Sequence, residues 1–162
     1  MEDNNYRQIT NEWLKGIHIK GSVIDIGGGK RTAKDRLGSC EGEYAVLDRK
    51  NYKGLTFKPD IEHDMNLPLK TDIKFDNAFL LFTIEFLWNQ VEAFNNINKL
   101  LNKGGVLYLN APYKMPHLVE EDYYRFTDTG LTKILHETGF EVTSIKFFQG
   151  EYDFYLLTAI KI

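Results

Sequence analysis

The feature that most constrains this fold is a short apolar run that ends in three consecutive glycines. Residues 22–26 read Ser-Val-Ile-Asp-Ile, and Gly27, Gly28 and Gly29 follow directly. The β-branched residues predict a buried strand. Glycines at the end of such a strand let the backbone approach a ligand closely at the mouth of a sheet. We therefore expect a ligand site at the carboxyl end of this strand.

Strand and helix patterns alternate along the rest of the chain. They predict further strands at 43–48, 59–64, 75–82 and 106–112, and helices at 4–15, 31–38, 84–101 and 129–138. Asn102, Gly104 and Gly105 are expected to end the third of these helices in a turn. The last strands, 140–148 and 152–162, are separated by the short spacing typical of an antiparallel hairpin. The pattern as a whole indicates an α/β fold with a parallel sheet and right-handed crossovers.

Length and composition limit the class of protein. The 162 residues contain no repeat or linker, which favours a single domain spanning 1–162. A hydrophobic fraction of 43% excludes intrinsic disorder. No apolar run approaches the ~20 residues that a membrane span needs. The net charge of −3, without a basic tail, argues against a nucleic-acid partner.

Cysteine and histidine usage narrows the chemistry further. Cys40 is the only cysteine, which excludes an intrachain disulfide framework and a multi-cysteine zinc site. The histidines have no spaced partners, so no metal site is expected. The polar start of the chain does not resemble a secretory signal peptide. A reducing cytoplasm is the expected setting, and the sequence predicts no oligomeric state.

Three carboxylates at successive strand ends point to a nucleoside ligand. Asp25 precedes the glycines, Asp48 ends the second predicted strand, and Asp64 ends the third. Carboxyl ends of parallel strands meet at one edge of the sheet, where ligands bind. A carboxylate at Asp48 can accept hydrogen bonds from both hydroxyls of a ribose. Asp64 can accept one from an adenine amine, so an adenosine-type cofactor is expected.

At these residues the chain resembles the class I S-adenosylmethionine-dependent methyltransferases over nearly its whole length. The segment VIDIGGG (23–29) is similar to the first family motif, and FDNAFLLFTIEFL (75–87) and LLNKGGVLYLNAP (100–112) are similar to later ones. HLVEEDYYRFT (117–127) resembles the "DYYRFT" subgroup of the methyltransferase type 11-like proteins.

The resemblance implies a Rossmann-like, doubly wound, mostly parallel seven-stranded sheet with a C-terminal antiparallel hairpin and helices on both faces. It implies S-adenosylmethionine as cofactor. It also implies cofactor contacts at Asp25, Gly27, Gly28, Gly29, Asp48, Arg49, Asp64, Met65 and Phe82. Two positions depart from the family pattern: Arg31 replaces a glycine, and Phe86 replaces the histidine of a Glu-His-Leu motif.

The segment 113–127 is the expected acceptor side of the site. It is longer than the usual connection of ~2–6 residues, and long loops in compact domains are often functional. His117 is the best base by its intrinsic pKa. The other predicted catalytic residues are Glu121, Tyr124 and Arg125. A structural alternative is that Tyr124 packs in the core and Arg125 forms an ion pair.

Several functions remain open at this point. The leading hypothesis is methyl transfer to a small-molecule or saccharide-like acceptor. A second is a catalytically impaired S-adenosylmethionine-binding protein with a regulatory or partner-subunit role. A nicotinamide-dependent oxidoreductase is disfavoured, because its glycine motif would need glycine at Thr32. Asn110-Ala111-Pro112-Tyr113 resembles an amine-gripping motif, but it follows the wrong strand for that role.

A basic cluster beside the glycines also has two interpretations. It is either a solvated helix face or a means of attracting an anionic substrate toward the loop. Its members are Lys30, Arg31, Lys34 and Arg36.

Overall fold

The structure, a computed structural model, describes residues 5–30, 32–49 and 57–162. Within these ranges the α-helices are α1 (Asn5–Lys15), α2 (Gln90–Leu100) and α3 (Asp128–Glu137). The strands are β1 (His18–Lys20), β2 (Val23–Ile26), β3 (Ser39–Glu41), β4 (Tyr44–Asp48), β5 (Ile61–Glu62), β6 (Phe75–Leu80), β7 (Leu101–Lys114), β8 (Phe140–Phe148) and β9 (Asp153–Lys161).

Seven of these strands form one sheet in the order β5-β4-β2-β6-β7-β9-β8. The pairs from β5 to β7 are parallel, and β9 runs antiparallel to both of its neighbours. The expected mainly parallel sheet with an antiparallel C-terminal hairpin is therefore confirmed. The sequence analysis did not predict β1 and β3, which form a separate two-stranded parallel sheet.

Alternating side chains bury both faces of the large sheet. Ile24 and Ile26 belong to one apolar cluster, which also contains residues of α2 and α3. Val23 and Phe79 belong to a second cluster, on the opposite face, together with Leu14 of α1. This period of two is what a strand buried on both faces requires. Helices therefore cover both faces of the sheet.

The helical layers are thinner than a doubly wound fold predicts. The predicted helix 31–38 is reduced to a 3₁₀ turn at Lys34–Arg36, and Arg31 lies outside the described residues. The connection 63–74 contains no helix. The predicted strand 59–64 pairs only at Ile61–Glu62.

The predicted helix 84–101 is split. A 3₁₀ turn occupies Ile84–Phe86, and α2 begins only after Asn89, whose side chain accepts a hydrogen bond from the Glu92 N–H. An asparagine cap of this kind starts a new helix and does not continue an old one. Periodicity alone could not locate this break.

The expected turn at 102–105 is absorbed into β7. That strand begins at Leu101, directly after α2, and its pairing with β6 is irregular between Phe75 and Asn77. It also runs on to Lys114, so the following connection is 115–127. The predicted helix cap at Thr127 is confirmed, because its hydroxyl accepts a hydrogen bond from the Gly130 N–H at 3.1 Å.

A buried asparagine of α2 fixes the connection between β5 and β6. The fully buried Asn96 amide donates to the carbonyls of Met65 and Leu67 at 3.1 and 2.8 Å. Its oxygen accepts the Leu69 N–H at 3.0 Å. Three backbone groups of one irregular segment thus depend on a single side chain.

We expect Asn96→Ala to lower the free energy of unfolding by roughly 2–4 kcal/mol, because it leaves buried backbone groups without partners. Urea denaturation measures this change. The matched control is Asn95→Ala, since the Asn95 side chain makes no hydrogen bond within the described part of the chain. Equal effects of the two substitutions would contradict the anchoring role of Asn96.

Candidate functional site

A cavity of about 440 Å³ opens at the carboxyl edge of the parallel strands. It has a carboxylate side formed by the ends of β4 and β5, and an apolar side formed by the end of β6 and the loop 115–127. Asp48, His63 and Asp64 lie on the carboxylate side. The apolar side is formed by Phe82, Phe86, Leu87, Leu118 and Val119. The other lining residues are Ile26, Gly27, Gly29, Leu47, Arg49, Met65, Asn66, Thr83 and Glu121.

Two glycines of the loop after β2 have left-handed backbone conformations. Gly27 has φ +72°, and a Cβ there would lie 2.4 Å from the Thr83 hydroxyl oxygen. Gly29 has φ +52°, and its nearest neighbour would be Asp48 Oδ2 at 3.8 Å. Gly27 is therefore needed for packing against β6. Gly29 instead leaves space beside the Asp48 carboxylate.

Asp25 supports this loop from beneath. Its side chain is buried, and Oδ2 accepts hydrogen bonds from the Ala33 N–H at 2.8 Å and the Tyr44 hydroxyl at 2.6 Å. Burial raises the pKa of Asp25, while these two bonds oppose the shift. A Cβ on Gly28 would lie 2.7 Å from the same carboxylate. Asp25 therefore fixes the path of the backbone over it.

The other two predicted carboxylates each use one oxygen locally. Asp48 Oδ1 accepts the Arg49 N–H at 2.8 Å. Asp64 Oδ1 accepts both the backbone N–H and the side-chain amide of Asn66, at 2.9 and 2.8 Å. Among the described residues, Oδ2 of each carboxylate accepts no hydrogen bond. Two acceptor oxygens are thus available on the carboxylate side of the cavity.

Phe82 occupies a strained position at the end of β6. Its φ of +53° is the only positive value at a described residue other than glycine. The Phe82 N–H donates to Asn110 Oδ1 at 2.7 Å, and the fully buried Asn110 donates to the Thr10 hydroxyl at 3.4 Å. The Asn110 amide is thus engaged inside the protein at both ends, which agrees with setting aside the amine-gripping motif.

A second cavity, of about 380 Å³, adjoins the first. The two cavities share Gly27 and Phe82. The second is the more cationic, and the Arg7 guanidinium lies 4.9 Å from the centre of the Phe82 ring. Its other lining residues are Asp25, Gly28, Lys30, Arg36 and Leu81.

The basic cluster predicted from the sequence is therefore divided. Lys30 and Arg36 line the second cavity, and Arg36 also donates to Asn11 Oδ1 at 3.1 Å. Lys34 lies over the Tyr44 ring, 5.7 Å from its centre.

Arg125 holds the loop 115–127 together. Its guanidinium binds both carboxylate oxygens of Asp122, at 2.5 and 2.8 Å. It also donates to the carbonyls of Met115, Pro116 and Tyr124. The bonds from Arg125 lower the pKa of Asp122, whose side chain is fully buried. The ion-pair interpretation of Arg125 agrees with this geometry.

The structure brings one of the four predicted catalytic residues to the cavity. Glu121 lines it and forms an ion pair with Arg49 at 2.5 Å, joining the loop to the end of β4. His117 is exposed and outside the lining. Tyr124 donates to the Trp88 carbonyl at 3.0 Å and is also outside the lining. Catalytic roles for these residues stay predictions.

Sequence reasoning missed part of the lining. Thr83 and Leu87 follow the end of β6, so extending that predicted strand end would have found them, whereas Phe86 was predicted only as a departure from the family motif. Leu118 and Val119 lie inside the segment 113–127, for which the sequence predicts only charged and aromatic site residues. Arg7 carries no local signal, because only the packing of α1 brings it to the second cavity.

A buried acid lies beneath the apolar side of the cavity. Glu85 has an exposed fraction of 2%, and its Oε2 has no hydrogen-bond partner among the described residues. Burial raises the pKa of Glu85 to about 7, with a further contribution from Asp122 opposed by Arg125 and Arg7. The Tyr6 hydroxyl is also buried, and no residue that the structure describes forms a hydrogen bond with it. A carboxyl in such surroundings favours its protonated form.

The described residues contain neither a membrane-spanning helix nor a cluster of metal ligands. No helix in the ranges 5–30, 32–49 and 57–162 is both long and apolar enough to cross a membrane. No group of three or more His, Cys, Asp or Glu side chains among the residues described could hold a metal ion.

The sequence matches no protein-family model and no curated protein. Solved structures do share its fold. An S-adenosylmethionine-dependent methyltransferase from Aquifex aeolicus is 17% identical, with a TM-score of 0.67, covering 98% of this chain and 90% of that one. A 1,6-didemethyltoxoflavin-N1-methyltransferase from Burkholderia thailandensis, with bound 1,6-didemethyltoxoflavin and S-adenosylhomocysteine, is 14% identical, with a TM-score of 0.70. The match covers 98% of this chain and 79% of that one.

The fold also occurs with a different activity. The 4+2 cyclase SpnF is 14% identical, with a TM-score of 0.68, covering 96% of this chain and 80% of that one. At these identities the likeness shows a Rossmann-like methyltransferase fold. The resemblance to the "DYYRFT" subgroup stays a prediction.

The raised pKa of Glu85 predicts a specific dependence of stability on pH. Between pH 4.5 and 7 the unfolded state loses this proton and the folded state keeps it, so the penalty for burying Glu85 grows as pH rises. Glu85→Gln lacks this penalty. We expect its stability relative to wild type to increase by about 2–3 kcal/mol from pH 5 to pH 8. Urea denaturation at both pH values measures this difference.

The matched control is Glu120→Gln, which changes an exposed glutamate of the loop. Its stability relative to wild type should stay constant over the same range. A constant difference for Glu85→Gln as well would show that Glu85 titrates alike in the folded and unfolded states.

Proposed function

We propose that the protein binds S-adenosylmethionine across the two cavities and transfers its methyl group to a small-molecule acceptor. The observation that carries the proposal is the junction of the cavities at Gly27 and Phe82. One cavity offers carboxylate oxygens and the other offers cations. A ligand that joins a nucleoside to an amino acid matches both.

The carboxylate side of the first cavity suits the nucleoside. In the proposal, Asp48 Oδ2 accepts hydrogen bonds from the ribose hydroxyls, and Asp64 Oδ2 accepts one from the adenine amine. Gly29 leaves the space beside Asp48 open. Arg49 and Met65 complete the walls next to these carboxylates.

The second cavity suits the amino-acid end. Arg7 and Lys30 would pair with its carboxylate, and the backbone at Gly27 and Gly28 allows close approach. The buried Asp25 in the same wall would face the ammonium group of the amino-acid end, and the pyrophosphate of a dinucleotide has no such cation to place there. This separates the proposal from a nicotinamide-dependent enzyme.

The cofactor, when bound, supplies a methyl carbon activated by a sulfonium. Transfer would form a bond from a lone pair of the acceptor atom to that carbon as the carbon–sulfur bond breaks, and the electron pair of the broken bond would stay on sulfur. The acceptor's proton, where it has one, leaves to water or to a base on the loop 115–127. The residues that line the cavity would hold the acceptor in line with the methyl carbon, and this positioning would supply much of the rate.

The acceptor side belongs to the same proposal. Glu121 is the predicted catalytic residue on the lining, and His117 would have to move toward the cavity to act as a base. Phe86, in the place of the family histidine, also lines the cavity. That position favours the second candidate function, a protein that binds the cofactor without turnover.

Removing one charge at the ribose position tests cofactor binding. Asp48→Asn should weaken S-adenosylhomocysteine by about thirtyfold, or 2 kcal/mol, because two hydroxyls lose a charged acceptor. Titration calorimetry measures the affinity. Asp72→Asn, on an exposed aspartate outside both linings, is the control. Unchanged affinity in a folded Asp48→Asn variant would remove this residue from the site.

The amino-acid end has its own test. Arg7→Ala and Lys30→Ala should each weaken S-adenosylhomocysteine by about tenfold, through loss of a charge-assisted bond. They should leave the affinity for 5′-methylthioadenosine unchanged, because that compound lacks the amino acid. Lys20→Ala, on β1 and outside both cavities, is the control. Equal losses for both ligands would place the nucleoside, not the amino acid, in the second cavity.

A further inference from the structure

Several apolar side chains around the first cavity are exposed to solvent. Leu118 and Val119, both on the cavity lining, have exposed fractions of 55% and 37%. Phe86 and the buried Leu87 face the same cavity from the end of β6. Trp88, which follows Leu87, is 52% exposed. Grouped apolar side chains left open to solvent around a cavity mark a binding surface for an apolar ligand.

Polar groups on this side already have partners. The Thr83 hydroxyl donates to the Leu81 carbonyl at 2.9 Å. The Glu121 carboxylate is paired with Arg49. A saccharide carries hydroxyls on every face, and each one buried without a partner costs free energy. This side of the cavity therefore does not suit a saccharide.

The charges around the apolar side balance. Glu121 is matched by Arg49, and Asp122 is matched by Arg125. The cations of the second cavity belong to the other side of Phe82, where the amino-acid end is proposed to bind. A charged acceptor would thus gain no counter-ion and would lose its hydration.

We propose that the methyl acceptor is an uncharged aromatic small molecule, bound against Phe86, Leu118 and Val119. This rests on the function proposed above, and it replaces the saccharide-like acceptor with a narrower class. A flat ring buries much apolar area against these side chains and leaves few polar groups to satisfy. Its accepting atom faces Phe82, beside the junction of the two cavities.

Calorimetry on the full chain tests the class of acceptor. With S-adenosylhomocysteine saturating, 2-naphthol is the aromatic probe, and methyl β-glucopyranoside is the saccharide probe. We expect naphthol to bind and the glucoside not to bind. The inference is overturned if the glucoside binds instead, or if naphthol binds only by displacing S-adenosylhomocysteine.

A matched pair of variants locates the probe. Leu118 and Val91 have nearly equal exposed fractions, 55% and 56%, but only Leu118 lines the cavity. Leu118→Ser should weaken naphthol about fivefold through lost apolar contact, and Val91→Ser should leave it unchanged. Equal effects of the two substitutions overturn the assignment.

The same titrations separate the two proposals. If wild-type protein fails to bind S-adenosylhomocysteine, the proposed function fails. If it binds S-adenosylhomocysteine but not naphthol, only the acceptor class fails.

Discussion

The candidate site depends on the parallel register of β2 with its two neighbours. Ile26 pairs with Leu47 of β4 and with Leu80 of β6. The next residue of each strand therefore arrives at the same level, which places Gly27 beside Asp48 and close to Phe82. If β4 slipped by one residue relative to β2, every side chain of β4 would turn to the opposite face of the sheet. Asp48 would then leave the cavity, and the apolar clusters on both faces would lose their match.

Local patterns were enough to predict the parts that depend on this register. Buried parallel strands are continuous apolar runs, and the glycines at 27–29 mark the end of one such run, so the strands within 22–29 and 43–48 could be predicted from the sequence. Helical boundaries were harder. Asn89 starts α2 by a side-chain bond, and the irregular pairing of β7 hides the turn expected at 102–105. At 89 a side-chain hydrogen bond, and at 102–105 the pairing of β7 with β6, determine the structure in place of the periodicity of the sequence.

The acceptor side could not be predicted in the same way, because its geometry comes from contacts distant in sequence. Asn110 of β7 accepts the Phe82 N–H from the end of the neighbouring strand β6, and Arg7 reaches the second cavity only through the packing of α1. The loop 115–127 has no periodic pattern of apolar residues. Nothing in its sequence therefore indicates that Leu118 and Val119 line the cavity. The fold does not determine the reaction either, since the solved structures that share it include both a methyltransferase and a cyclase.

The loop 115–127 is held by contacts of two kinds, which respond differently to dissolved ions. Arg125 binds a fully buried carboxylate and three carbonyls of its own loop, so the loop keeps its shape without a ligand. The Arg49–Glu121 pair, with side chains 38% and 41% exposed, joins that preformed unit to the sheet. Dissolved ions screen an exposed pair far more than a buried one. Ionic strength therefore acts on this one attachment and not on the internal order of the loop, which stays joined to the segment after β6 because the Tyr123 N–H and the Tyr124 hydroxyl donate to the Glu85 and Trp88 carbonyls.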